Sequence, residues 1–173
     1  MLRLISSVTI LVLALSSWAS AAEDLPLTIA ASNVGLFRQG GSWYLSVNSA
    51  GKAELATEPP PVDQTGFIRR QFDISTEQLA EFRKALDDES FFEMEEEYGE
   101  RVPDGSTTTL TVIRGGRVHS VKMRFLMNWV VAKDKEKLRE PSRAVRLLML
   151  VHGWMPDSEA ARTNYERILE AAK

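Results

Sequence analysis

Cysteine is absent from all 173 residues. That excludes a disulfide framework, a lipidated cysteine and a thiol nucleophile, so stability must come from a packed core. Histidine is almost as scarce, with His119 and His152 alone. Neither stands in a metal-ligand spacing such as H-E-x-x-H, so no local motif points to an imidazole-based catalytic or metal centre. No Walker A loop, G-x-G-x-x-G fingerprint or G-x-S-x-G elbow occurs. There is no internal repeat. Long apolar runs are missing too, with one exception at the start of the chain.

That exception is M-L-R-L-I-S-S-V-T-I-L-V-L-A-L-S-S-W-A-S-A-A-E-D. Arg3 precedes an apolar run from Val8 to Leu15, and small residues follow at Ala19, Ser20, Ala21 and Ala22. This is the layout of a secretory signal peptide, with cleavage expected after Ala21 or Ala22. The run is shorter than the ~20 residues of a spanning helix. The sequence thus reads as residues 1–22 signal and 23–173 one domain, exported to the periplasm or the medium, with no integral membrane anchor in the mature chain. Removing Arg3 leaves 20 basic against 24 acidic residues, a formal charge of −4. Mild acidity with both signs interspersed argues against nucleic acid as a partner.

The strongest structural signal is S-T-T-T-L-T-V-I-R-G-G-R-V-H-S-V-K-M-R-F, Ser106 to Phe125. Gly115-Gly116 between two β-rich runs suits a two-residue primed turn, whose central residues need φ > 0. Counting outward pairs Arg114 with Arg117, Val112 with His119, Leu110 with Val121, Thr108 with Met123 and Ser106 with Phe125. Leu110, Val112, Val121, Met123 and Phe125 then share one apolar face, while Thr107, Thr109, Thr111, Ile113, Val118, Ser120, Lys122 and Arg124 share the other.

Upstream, Leu25 to Ser32 is a short apolar lead whose role the sequence does not fix, an edge strand being one reading. Val34–Arg38 and Trp43–Val47 flank Gly40-Gly41 and repeat the hairpin logic, pairing Leu36 with Leu45, Val34 with Val47, and Phe37 with Tyr44 on the opposite face. Gly51 suits a left-handed turn position before a strand at Lys52–Ala56. Pro59-Pro60-Pro61 marks a stiff connector, and Phe67–Phe72 a fourth strand. Ser75 with Gln78 forms a capping box, with Ile74 and Leu79 as a hydrophobic staple, opening a helix over about Thr76–Asp87. Leu79, Phe82 and Leu86 form its apolar stripe. The aromatics of Glu89–Gly99 are expected beneath the helix end. A second helix is expected from Pro141 to about His152, apolar on most of its circumference and so buried, and a third after an Asp157 cap, with Ala161, Tyr165, Ile168 and Leu169 inward. The fold class is α+β, an antiparallel sheet of hairpins against two to three helices.

Few residues carry chemistry. His119 is placed on the inner sheet face, and His152 as a cation favoured at a helix C-terminus. The acidic run Asp87–Glu100 lacks the D-x-D-x-D-G spacing that gathers calcium ligands. Neither a cofactor nor a metal is implied. Phe37 and Tyr44, open on a sheet face, form a candidate contact patch for a protein or peptide partner, and an exposed strand could take a peptide by β-addition. The competing reading is a small secreted hydrolase or carbohydrate-active protein using acids from this run, Glu95, Glu96 and Glu97 among them.

The succession W-Y-L-S-V-N-S-A-G-K-A-E-L, I-S-T-E-Q-L-A-E-F, F-F-E-M-E-E-E-Y-G and T-T-T-L-T-V-I-R-G-G-R resembles a group of exported bacterial domains of unknown function. The resemblance spans about Trp43 to Phe125. Its motifs are structural, a strand–turn–strand with a glycine, a helix opening S-x-E-Q-L, a Phe-Phe segment and a threonine-rich strand. It implies no reaction.

Overall fold

The computed structural model describes residues 25–34, 42–58, 66–102, 105–156 and 159–173. The signal segment, Phe37, the Gly40-Gly41 pair, the triple proline and the Asp157 cap lie outside them. Seven strands form one sheet: β1 (Leu27–Val34), β2 (Trp43–Val47), β3 (Lys52–Thr57), β4 (Ile68–Asp73), β5 (Glu97–Gly99), β6 (Thr107–Arg114) and β7 (Arg117–Arg124). Their order across the sheet is β4-β3-β2-β1-β6-β7-β5. Every pairing is antiparallel except the short one between β5 and β7. Among the described residues four α-helices complete the α+β fold: α1 (Thr76–Asp88), α2 (Met127–Ala132), α3 (Lys135–Trp154) and α4 (Glu159–Ala172).

The β6–β7 hairpin has the expected register, Arg114 opposite Arg117 through Thr108 opposite Met123. Gly115 and Gly116 both adopt positive φ, 57° and 81°, as a primed turn demands. Leu110, Val112, Val121 and Met123 are buried, while Val118 and Ile113 on the other face are exposed. One face of the sheet therefore belongs to the core.

The first hairpin differs from the sequence reading. Val47 pairs with Ile29, Leu45 with Ala31 and Trp43 with Asn33, five residues from the expected register, so the strand partner is Leu27–Val34 and the chain reverses over more residues than a Gly-Gly turn. The shift has a packing reason. It turns Leu27, Ile29 and Ala31 inward, each nearly inaccessible, and frees the other edge of β1 to pair along its whole length with β6. Far from being an edge strand, β1 is the central one.

Helix α1 begins as its sequence dictates. The Ser75 hydroxyl accepts from the Gln78 N–H at 3.2 Å, and the Gln78 side chain accepts from the Ser75 N–H at 2.9 Å. Leu79, Phe82 and Leu86 are buried in the core. The following 3-10 turn at Phe91–Glu93 sinks Phe91 entirely, and Met94 and Tyr98 follow it inward. Here β5 adds three residues that the acidic sequence does not advertise as strand. Gly99 fixes that pairing: its φ is +96°, and a β-carbon there would overlap the Arg124 carbonyl oxygen.

Helix α3 corrects a second expectation. It starts at Lys135, capped by Asp134 whose carboxylate accepts from the Lys137 N–H, and carries Pro141 inside it as the seventh residue. An interior proline costs roughly 3 kcal/mol. The preceding residues are good helix formers, and Leu138 and Pro141 are both buried, which offsets that cost. Beyond it Ala144, Val145, Leu147, Leu148 and Val151 are completely inaccessible, as the apolar circumference requires. The single core thus lies between one sheet face and the helices. Among the described residues no helix is long and apolar enough to cross a membrane.

Candidate functional site: the open face of the sheet

The face of the sheet turned away from the helices is lined by every second residue of each strand. On β1 these are Thr28, Ala30 and Ser32; on β2, Tyr44 and Ser46; on β3, Lys52, Glu54 and Ala56; on β6, Thr109 and Thr111. They are small or hydroxyl-bearing at the middle of the sheet and larger toward β4. Short central side chains flanked by longer ones make a trough of about 400 Å³, floored by Ala30, Ser32, Ser46, Ala56, Thr109 and Thr111. A second hollow of about 660 Å³ adjoins it through Ser46 and Glu54 and runs toward Lys52, Gln71 and Asp73.

Two aromatic rings stand at the wall. Tyr44 is 41% exposed and Phe67 46% exposed, with centroids 5.6 Å apart and planes at 78°. An edge-to-face pair of this kind sets the edge of one ring on a face of the other, and both rings remain about half exposed. Beside them the Arg69 guanidinium pairs with the Glu54 carboxylate. Further along, Lys52 Nζ lies 2.8 Å from Asp73 Oδ1. At the far side the Thr111 and Ser120 hydroxyls share a hydrogen bond of 2.9 Å.

Of the two contact residues singled out from sequence, Tyr44 is on this face and Phe37 lies outside the described residues. The ladder partners of Tyr44 are Ser32 and Ala56, not Phe37, because of the shifted register. The ring that meets Tyr44 is Phe67, which sequence reasoning placed in a strand without assigning it to the patch. Arg69 and Glu54 were missed likewise. The β3–β4 register that joins them, Ala56 opposite Arg69, spans a connector whose length the sequence leaves free.

The histidines are elsewhere. His119 sits on the inner face opposite Val112 as expected, its ring against Phe91 at 5.2 Å. His152 is not a helix-end cation. It is 4% exposed, wedged between Trp43 at 4.9 Å and Tyr165 at 5.0 Å, and neither ring nitrogen has a hydrogen-bond partner. Burial alone drives its pKa down to about 4, so the ring is neutral at pH 7 and desolvation outweighs the pull of the helix end. The Tyr165 phenol is pushed up to about 12 for the same reason, although its hydrogen bond to Thr108 works the other way.

The acidic run Asp87–Glu100 is dispersed among separate partners. Asp87 takes Arg114 at 2.6 Å, Asp88 takes Lys84, and Glu89 takes both Nε and Nη2 of Arg146 at 2.5 and 2.7 Å. Glu97 pairs with Arg124, which holds its carboxyl below the usual range. Glu100 accepts from the Trp129 indole at 2.9 Å and from Asn128 at 3.2 Å, with the same effect on its pKa. Asp87 and Glu100 thus tie helices to the sheet, Glu89 ties the end of α1 to α3, and Asp88 and Glu97 act within α1 and within the sheet. Among the described residues no three His, Asp or Glu side chains come together as a metal site.

No family model matches this chain. Among curated proteins, none matches it either. The case for function therefore rests on the open face itself, where an exposed aromatic pair, a hydroxyl-bearing floor and neutralised ion pairs surround a hollow.

Proposed function

We propose that this chain is a non-enzymatic binding module, exported to the periplasm or the medium, that takes its ligand on the open sheet face. We also propose membership of the exported bacterial domain group that the Trp43–Phe125 motifs resemble. The observation that carries the binding reading is the trough beside Tyr44 and Phe67, since side chains held half-exposed over a hollow are what a ligand contacts first. The N-terminal layout supports export. The hydrolase reading draws less support, since five of the eight acids of the run, Asp87, Asp88, Glu89, Glu97 and Glu100, are engaged by Arg114, Lys84, Arg146, Arg124 and Trp129.

A photoreactive phenylalanine analogue at position 44, irradiated in intact producing cells, tests the binding reading. The expected result is a discrete adduct that Phe67→Ala weakens and that the same analogue at Lys84, on the exposed side of α1, does not give. Equal labelling from both positions refutes it. Export is tested by the mass of the protein recovered outside the cytoplasm. A chain beginning at Ala22 or Glu23 is expected, and an intact Met1 in the cytoplasm refutes it.

A further inference from the structure

The trough has a chemical character that narrows its ligand. Its cations are answered in place, Arg69 by Glu54 and Lys52 by Asp73, so the wall offers no net charge to recruit a phosphate, a nucleotide or a polycation. Its floor sets the hydroxyls of Ser32, Ser46 and Thr109, which can donate and accept equally well, beside the short methyl groups of Ala30 and Ala56, where a lipid-binding groove would present long aliphatic side chains throughout. Tyr44 and Phe67 supply flat apolar surface at an angle of 78°, a corner rather than a slot. The two hollows lie within the ~300–1,000 Å³ of small-molecule sites and join at Ser46 and Glu54, so the space is elongated.

Neutral, rich in hydroxyls, with apolar C–H faces and more than one ring in length describes one ligand class. Resting on the binding-module reading, we propose that the open face holds a neutral oligosaccharide. Its sugar C–H faces lie on Tyr44 and Phe67, its hydroxyls meet Ser32, Ser46 and Thr109, and the Arg69–Glu54 pair lies beside the chain where the two hollows join. A peptide, by contrast, would use the unpaired edge of β4 rather than the floor of the sheet.

The test is a titration of the isotope-labelled mature chain, observed by amide chemical shifts, with tetra-N-acetylchitotetraose, cellotetraose and maltotetraose in turn. Saturable shifts confined to the neighbourhood of Ser32, Tyr44, Ser46, Phe67 and Thr109 are expected with at least one of the three. Phe67→Ala and Tyr44→Ala should each weaken that binding by up to about tenfold, the ratio equivalent to losing one aromatic contact. Both rings are half-exposed, so the variants keep the fold. Ser46→Leu, which fills the floor from an exposed position, should weaken it as well. No shifts with any of the three sugars, shifts elsewhere, or binding indifferent to all three variants overturns the proposal. Should the position-44 analogue still give its Phe67-dependent adduct, and that adduct be a protein, the module reading stands and only the saccharide falls; without the adduct, both fall.

Discussion

Acidification should destabilise this protein through one imidazole. In the native state His152 lies between Trp43 and Tyr165 with both nitrogens unpartnered, and its pKa stands at about 4. In the unfolded chain it returns to about 6.5. Between those values the unfolded state holds a proton that the folded state refuses, so stability is complete above pH 6.5 and declines as pH falls toward 4. The full difference, about 2.5 pKa units at 1.36 kcal/mol each, is roughly 3 kcal/mol. Between pH 7.5 and pH 5 the loss is about 2 kcal/mol, or some 4–8 °C in Tm for a domain of this size. Urea unfolding across that range measures it, with His152→Phe as the reference, since carboxylates elsewhere titrate equally in both proteins. The variant should be flatter with pH by about 2 kcal/mol. At pH 7.5 it should be no less stable than the parent, because it removes two buried unsatisfied nitrogens. Parallel curves for the two proteins from pH 7.5 to 5 would refute the reasoning, and would mean that the ring takes up its proton in the folded state as readily as in the unfolded chain.

Other perturbations have simpler outcomes. Gly99→Ala should cost at least about 2 kcal/mol, because it combines a positive φ with overlap on the Arg124 carbonyl; Gly116→Ala, with φ +81° and open space around it, should cost only about 1 kcal/mol by the same denaturation assay. Ser75→Ala removes one half of the capping box and should lower stability by ~1 kcal/mol. Glu89→Ala releases Arg146, whose partly exposed two-point contact ties the end of α1 to α3. A loss of about 1 kcal/mol, smaller in high salt, is expected.

What the sequence makes legible is whatever local chemistry decides. The Gly115-Gly116 turn fixes the β6–β7 register because two adjacent residues at positive φ allow only one way of counting outward. The Ser75–Gln78 cap is equally local. Where the choice belongs to the rest of the fold, the sequence misleads. Gly40-Gly41 offers the same turn chemistry, yet the strand pairs five residues away because Leu27, Ile29 and Ala31 bury better than Val34 and Leu36 would and because β6 needs a partner. Pro141 looks like a helix start, and Leu138 overrides it by being buried one turn earlier. The candidate site was half visible. Tyr44 shows itself as an aromatic on an outward strand position, but Phe67, Arg69 and Glu54 reach it only through the β3–β4 register, which no turn residue sets.

The position of β1 has a consequence for how the chain is made. Its neighbours are β2, met soon after synthesis, and β6, whose Val112 lies opposite Ile29 across 83 residues of sequence, from 29 to 112. Closing so long a loop is slow relative to forming hairpins. Until the last third emerges, a nascent or secreting chain presents the long inner strand half-paired, with Leu27, Ile29 and Ala31 uncovered by the helices that follow. A polypeptide truncated before Thr107 would carry that raw edge permanently, and aggregation during translocation is its expected fate.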